Sequence, residues 1–170
     1  MSIRKSLKKV LPPISVTEQE ALDAGDIWIE SSIYQGKPDM DALRAIPKAQ
    51  LSAEEQAFMD GPVQELLGMI DDFELSNSKH IPKEVLDFLG KNRFFSMIIP
   101  KKFGGLEFSP YANSTIVATL AAKSGAIAVT VMVPNSLGPG ELLMHYGTKA
   151  QQDHYLPRLA VGEDIPCFAL

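Results

Sequence analysis

The chain has 170 residues, a formal net charge of −5 and 45% hydrophobic residues, a composition typical of a folded globular protein and not of a disordered one. The acidic balance argues against a nucleic-acid partner, because such binders carry a basic face. Its one cysteine, Cys167, excludes an internal disulfide framework and a cysteine-rich zinc site, and favours a reducing compartment. No stretch approaches the ~20 apolar residues that a membrane span requires.

The N-terminal segment is basic. Residues 3–11 carry Lys or Arg at positions 4, 5, 8 and 9 among aliphatic residues, and no acidic residue comes before Glu18. One interpretation is a solvated, frayed terminus. The other is peripheral contact with an anionic membrane surface, to which each basic residue would contribute about 1 kcal/mol. We therefore expect a cytoplasmic protein in which residues 3–11 are the candidate membrane contact.

The next segment, residues 12–50, is rich in Pro, Gly, Asp and Lys and shows a short helical pattern near Thr17–Ala24. We interpret residues 1–50 as an N-terminal extension that either wraps over a core or forms a partly ordered arm. Residues 51–163 read as a helical domain. Residues 164–170 end in an apolar run that is typical of the start of a strand, so we expect the chain to be a fragment of a longer protein.

The helical domain begins with a capping-box pattern at Ser52 and Glu55. Gly61-Pro62 should interrupt that helix and restart it, with the proline in the first turn of the new helix. Pro82 should open a shorter helix that ends near Gly90. Between the two, one apolar face is predicted at helical spacing, formed by Val63, Leu66, Leu67, Ile70 and Phe73.

The second half of the domain mixes helical and ambiguous segments. Residues 94–100 are a continuous apolar run that fits a buried connection or a short strand. Ser109-Pro110 should start a helix that Gly125 stops. Residues 126–133 are rich in β-branched side chains, which favour a strand, although the neighbouring segments are helical. The sequence therefore leaves this segment ambiguous between strand and helix. Thr148 and Gln151 form a second capping box, before a helix that Pro157 should disturb.

Few residues carry recognisable chemistry by pattern alone. Glu141 and His145, four apart, read as a surface pair and not as metal ligands, because no third ligand is near in sequence. His80 and His154 lack an evident orienting partner, which disfavours a catalytic role. Cys167 reads as a small buried apolar residue. We therefore predict no metal site and no catalytic residue in this chain.

Several stretches, taken in order and spacing, closely resemble the FAD-dependent acyl-coenzyme A dehydrogenases. They are PNSLGPGELLMHYGT at 134–148, YLPRLAVG at 155–162 and IPCFAL at 165–170, with IIPKKFGGLEFS upstream at 98–109. QGKPD at 35–39 and LSAEEQAF at 51–58 are similar to the bacterial fatty-acid β-oxidation subgroup. The resemblance implies a mainly α chain, namely the N-terminal helical domain followed by the first strand of a middle β domain. It also implies that residues 126–133 are helical.

The resemblance also implies a chemistry and its residues. A carboxylate removes the α proton of a fatty acyl-CoA while FAD accepts the β hydride, which yields a trans-2-enoyl thioester. Phe168 and Leu170 match the strand that contacts the flavin. Val133, Pro134 and Leu137 match the helix end that lines the distal acyl pocket. The family's catalytic Glu matches no position in this sequence, so we expect the chain alone to be inactive.

The expected partners follow from the same resemblance. They are a fatty acyl-CoA substrate, an electron-transfer flavoprotein or a similar acceptor, and further copies of the full-length protein in a homo-oligomer. Two alternatives stay open: a non-catalytic helical interaction module or decayed gene product, and an acyl-CoA oxidase, which differs in oxygen access to the reduced flavin.

Overall fold

The computed structural model describes residues 15–24, 33, 36–136 and 138–167, and every regular element within them is a helix. The chain divides into two units, residues 1–48 and 49–170. The mainly α fold class predicted from the sequence is therefore confirmed.

The first unit contributes two described helices, α1 at Val16–Ala24 and α2 at Met40–Ala45. α1 coincides with the helical pattern predicted near Thr17–Ala24. Asp39 is the N-cap of α2, and its side chain accepts a hydrogen bond from the backbone N–H of Ala42 at 2.9 Å. None of the residues of α2 is buried.

The described part of the second unit holds eight α-helices joined by short connections, with a π-helical turn at Met59–Val63 and 3₁₀ turns at Phe94–Ser96 and Lys101–Phe103. In chain order the helices are α3 at Ala53–Phe58, α4 at Gln64–Met69, α5 at Asp72–Ser78, α6 at Lys83–Lys91, α7 at Pro110–Ala121, α8 at Gly125–Asn135, α9 at Pro139–Tyr146 and α10 at Lys149–Ala160.

Both predicted capping boxes are present. At the start of α3, Ser52 accepts from the backbone of Glu55 while the Glu55 carboxylate accepts from the backbone of Ser52. At the start of α10, Thr148 and Gln151 make the same reciprocal pair. These short-range patterns are confirmed because all of their partners lie within one helical turn.

The interruption predicted at Gly61-Pro62 is present as a π-helical turn between α3 and α4. The prediction that Pro62 lies in the first turn of the new helix is wrong, because α4 begins at Gln64. The chain passes from α3 to α4 through the π-helical turn, which holds Pro62 inside a continuous helical path. A π turn inserts one residue, which gives a proline a way to lie inside a helical path without its missing N–H ending the helix. Pro157 likewise lies inside α10, which runs on to Ala160.

The core is centred on aromatic residues from three segments. The ring of Phe58 lies 4.9 Å from that of Phe94 and 5.3 Å from that of Phe108, centroid to centroid. Buried side chains from the helices surround them, among them Val63, Leu66, Val85, Leu89, Ile116, Leu120, Ile127 and Val131. A face of α7 and a face of α8 therefore pack into the same core.

Phe73 does not belong to this core, although helical spacing placed it on the apolar face of Val63 and Leu66. In the structure Phe73 is 79% exposed to solvent. α4 ends at Met69, Ile70 has extended backbone angles, and α5 begins at Asp72 with Asp71 as its N-cap. The change of helix resets the periodicity, so the side chain at position 73 points to another face.

Residues 94–108 contain no strand, and we call them the buried connection because residues 94–97 and 99 are buried, whereas the two lysines at 101 and 102 are exposed. The connection folds back on itself, with the backbone N–H of Phe108 donating to the carbonyl of Met97 at 2.8 Å and that of Leu106 to Ser96 at 3.0 Å. Gly105 permits this turn, since an added Cβ would lie 2.1 Å from the carbonyl oxygen of Ile99. The strand alternative for this segment is wrong.

α7 and α8 pack against one another, and the ambiguous residues 126–133 are helical. Gly125 begins α8 instead of closing α7, which ends at Ala121. By length and composition, Gly125–Tyr146 is apolar enough to cross a membrane, which corrects the expectation that no stretch approaches a span. About half of it, 47%, is buried within the fold, and a core helix passes the same test.

The last described residues, Ile165 to Cys167, have irregular backbone. Phe168 and Leu170 lie outside the described residues, as does Leu137. The predicted opening strand is therefore absent from residues 165–167 and untested at 168–170.

Candidate functional site

The corner between α8 and α9 is fixed by one buried amide side chain. Asn135 is fully buried, and its Nδ2 donates to the carbonyls of Phe94 at 2.7 Å and Val131 at 2.8 Å. Its Oδ1 accepts from the backbone N–H of Ile98 at 3.3 Å. The C-terminal end of α8 is thereby tied to the buried connection of residues 94–108.

Two glycines let the chain turn tightly after Asn135. A Cβ on Gly138 would lie 1.8 Å from the carbonyl oxygen of Val133, and one on Gly140 would lie 2.6 Å from that of Pro134. Any larger residue would force the backbone apart at these two points. The chain can make a sharp corner here because the two residues at the closest approach of α8 and α9 are glycines, which have no side chain.

The predicted acyl-pocket residues lie at this corner. Val133 is half-buried in the last turn of α8, and Pro134 beside it is buried. Leu137, the third, lies outside the described residues. The structure thus places two of the three residues adjacent on one helix end.

A second feature is an open apolar groove between α9 and α10, next to the place where the chain continues toward Cys167. Its volume is about 420 Å³, and its walls are formed by Pro139, Leu143, Tyr155, Leu159, Asp164, Ile165 and Pro166. Gln152 joins the two helices by donating from Nε2 to the carbonyls of Leu143 at 3.0 Å and Met144 at 3.2 Å.

An arginine closes the turn at the end of α10. Arg158 donates from Nε to Asp164 Oδ2 at 2.6 Å and from Nη2 to Oδ1 at 2.9 Å, which is a bidentate pair. Hydrogen bonding from Arg158 lowers the pKa of Asp164 below its ordinary value, although partial desolvation opposes the shift. The Asp164 carboxylate is therefore charged throughout the physiological range.

The isolated polar residues behave largely as surface groups. His145 Nε2 lies 3.2 Å from Glu141 Oε1, and both side chains are exposed, as expected for a pair four residues apart on a helix. The ring of His154 packs edge-on against Tyr155 with centroids 4.7 Å apart.

Within the described ranges no group of three His, Cys, Asp or Glu side chains is placed to hold a metal. Cys167 is exposed, so its interpretation as a buried residue is wrong.

The sequence did not point to the residues that build these two features. Asn135 hydrogen-bonds to backbone groups 37 and 41 residues away, which no local pattern reveals. Arg158 and Asp164 are six apart, beyond the spacing of helical pairs. The closely spaced Gly138 and Gly140 on either side of Pro139 are the local signal of the tight corner.

Comparison with known proteins identifies the domain. Residues 50–163 match the family model described as acyl-CoA dehydrogenase, N-terminal domain. A caffeyl-CoA reductase–Etf complex subunit from Acetobacterium woodii is 35% identical over 97 residues, which cover 57% of this chain and 25% of that protein. A 3-(aryl)acrylate reductase from Clostridium sporogenes is 32% identical over 57% of this chain and 26% of that protein.

A longer alignment exists with a eukaryotic relative. The mitochondrial very long-chain specific acyl-CoA dehydrogenase of Mus musculus is 27% identical over 142 residues, which cover 81% of this chain and 21% of that protein. The chain thus spans about a fifth to a quarter of the length of these relatives. Because the family model covers residues 50–163, which is more than half of the chain and includes the corner and α10, the chain belongs to the acyl-CoA dehydrogenase family and contains that family's N-terminal domain.

Proposed function

We propose that this chain forms the helical wall of an acyl-CoA site in an enzyme that converts fatty acyl-CoA to trans-2-enoyl-CoA in bacterial fatty-acid β-oxidation. The supporting observation is the end of α8. No charged residue occurs between Gly125 and Asn135, and the helix ends in a half-buried Val133 beside a locked corner. A hydrocarbon tail gains about 0.8 kcal/mol for each CH₂ group that it buries against such a surface.

In this proposal Val133, Pro134 and Leu137 contact the distal part of the acyl tail. The hydrogen bonds of Asn135 hold the C-terminal end of α8 in place. The acyl tail therefore packs against a surface whose position is fixed. An apolar wall also excludes water from the reacting carbons.

We assign the flavin contacts to Phe168 and Leu170. The groove beside Ile165 is apolar but open, so the described residues supply one wall at most for a ring system the size of a flavin. Bound FAD would supply the hydride acceptor of the reaction. No carboxylate of this chain is assigned as the base, because the family's catalytic Glu matches no position in this sequence.

The chain by itself is therefore proposed to be inactive. We expect the purified 170-residue protein to show no flavin absorbance in the visible range and no dye reduction with palmitoyl-CoA. Flavin that stays bound through gel filtration, together with dye reduction, would contradict this part of the proposal.

An electron-transfer flavoprotein is the proposed electron acceptor, and the full-length protein is proposed to be a homo-oligomer. The relative from Acetobacterium woodii is named as a subunit of an Etf complex, which supports a flavoprotein partner for this chain too. The shared helical domain carries this argument.

We further propose a cytoplasmic protein that touches anionic membranes through residues 3–11. The support is the sequence alone, because these residues lie outside those that the structure describes. A peptide of residues 1–20 should bind vesicles that contain anionic lipid at low salt and detach at high salt. Absence of binding at low salt would contradict this contact.

A second candidate reaction runs in the opposite direction. Two relatives are named as reductases, one acting on 3-(aryl)acrylate and one on caffeyl-CoA. This chain would then line a site for an aryl-acryloyl group instead of an aliphatic tail. Competition between palmitoyl-CoA and cinnamoyl-CoA for the same site separates the two.

The experiment that tests the proposed wall is photocrosslinking with a palmitoyl-CoA analogue that carries a diazirine at the end of its tail. Trypsin cuts after Lys123 and Lys149, so one peptide of residues 124–149 carries α8 and the corner. We expect crosslinks in that peptide, and we expect Val133→Asp to remove them. Phe73→Asp alters an exposed apolar residue on a different helix and should leave them unchanged.

Crosslinks spread over many peptides, or crosslinks that survive Val133→Asp, would contradict the proposed wall. Excess cinnamoyl-CoA that displaces the probe better than unlabelled palmitoyl-CoA would favour the aryl-acryloyl alternative.

A further inference from the structure

After α10 the chain makes a turn that is stabilised by both the side chain and the backbone of Arg158. The guanidinium of Arg158 forms its bidentate pair with Asp164, and Nη1 lies 3.4 Å from Glu163 Oε1. The carbonyl of Arg158 also accepts from the backbone N–H of Glu163 at 3.0 Å. Side chain and backbone of the same residue thus fix both residues that follow Gly162.

The start of the turn, at the end of α10, packs against the core. Gly162 has φ +74°, and a Cβ there would lie 2.9 Å from the Cα of Gly90 and 3.1 Å from the ring of Phe95. The carbonyl of Ala160 accepts from Arg93 Nη1 and from Ser96 Oγ, each at 3.1 Å. The end of α10 is therefore anchored to the core.

We propose that Arg158 is the positioning residue that sets the direction in which the chain departs from the helical domain. The inference rests on the proposed function in one respect: the segment that it directs carries the assigned flavin contacts, Phe168 and Leu170, four and six residues beyond Asp164. A planar fork with two parallel hydrogen bonds fixes the orientation of a carboxylate, which a lysine cannot do.

Cys167 permits a direct test. It is the one cysteine of the chain, it is exposed, and it lies three residues beyond Asp164, so a nitroxide spin label attaches there without any substitution. We expect the electron paramagnetic resonance spectrum of the labelled protein to contain an immobilised component. Arg158→Gln should abolish that component, and Arg158→Lys should not restore it.

Asp164→Asn removes the same pair from the other side and should give the same loss. The matched control is Lys149→Gln, which breaks the ion pair of Lys149 with Asp153 on the same helix and should leave the spectrum unchanged. Circular dichroism melts distinguish a released turn from an unfolded domain. A melting temperature near that of the parent protein, together with a mobile label, supports the positioning role.

A label that is already fully mobile in the parent protein would overturn the proposal. So would an immobilised component that survives both Arg158→Gln and Asp164→Asn in folded protein. These outcomes are independent of acyl-CoA crosslinking at Val133, so the positioning role and the proposed function fail separately.

Discussion

Glu55 joins the beginnings of two helices that are distant in sequence. Its residue is 5% exposed, and its carboxylate accepts from the backbone N–H of Ser52 and of Ser109, each at 2.7 Å. Burial alone would raise the pKa of this carboxyl, but the hydrogen bonds outweigh burial and lower the pKa from 4.5 to about 2. The carboxylate of Glu55 therefore links the start of α3 to the start of α7.

Stability should follow the titration of Glu55. Because its folded pKa lies below its unfolded value, its contribution is complete above pH 4.5 and is lost as the pH falls toward 2. The shift corresponds to about 3 kcal/mol. Glu55→Gln should lower the free energy of unfolding at pH 7 by about 2 kcal/mol and flatten its dependence on pH in this window.

Urea unfolding at a series of pH values checks this prediction. Glu54→Gln is the matched control, since Glu54 pairs with Lys101 at the surface and such pairs contribute about 0–1 kcal/mol. Equal pH dependence in the parent protein and in Glu55→Gln would contradict the role assigned to this carboxylate.

Asn135 is the corresponding residue at the candidate site. Asn135→Ala should cost about 2–4 kcal/mol, because it leaves the carbonyl of Phe94 and the N–H of Ile98 without their partner. Asn92→Ala is the control: Asn92 donates to Phe88 in a partly exposed position, and its loss should cost about 1 kcal/mol or less. Similar chemical denaturation midpoints for the two variants would argue against a locked corner.

At the scale of elements, the α8–α9 corner depends on close backbone approach. Gly138→Ala should destabilise the protein by more than about 2 kcal/mol, because its Cβ would overlap the carbonyl of Val133. Gly125→Ala, at the other end of α8, meets nothing within 4 Å and should be neutral or stabilising by about 0.5–1 kcal/mol. Thermal melts of both variants check the contrast, and an equal effect of the two would contradict it.

The elements show which parts of the fold could be predicted from the sequence. Capping at Ser52 and Thr148 was predictable because each box closes within one turn. The exposed position of Phe73 was not, since it depends on where α4 ends. The assignment of Val133 and Pro134 to an acyl pocket comes from family resemblance and stays a prediction, whereas the role of Asn135 depends on contacts that only the folded chain creates.

At the scale of the whole molecule, the helices near the candidate site present apolar side chains to solvent. The residues concerned are between 45% and 83% exposed: Val129, Leu142, Tyr146, Tyr155, Val161 and Ile165. We propose that these side chains together form an apolar surface that a further part of the full-length protein covers, because monomeric proteins rarely leave large apolar patches exposed. We expect the purified chain to bind a hydrophobic dye or to self-associate.

Replacing the two most exposed of these residues, Leu142 and Tyr146, by Ser should reduce dye binding. Phe73→Ser, which changes an exposed ring elsewhere, should reduce it less. A monomer that melts cooperatively and binds no dye would contradict an uncovered face on these helices.

The most direct test of the central claim is hydrogen–deuterium exchange of the chain with palmitoyl-CoA or with free coenzyme A. If the end of α8 meets the acyl tail, palmitoyl-CoA slows amide exchange in residues 125–136 and free coenzyme A does not. Slowed exchange around the separate cavity between Met69 and Val85 instead, or none with either compound, would contradict it.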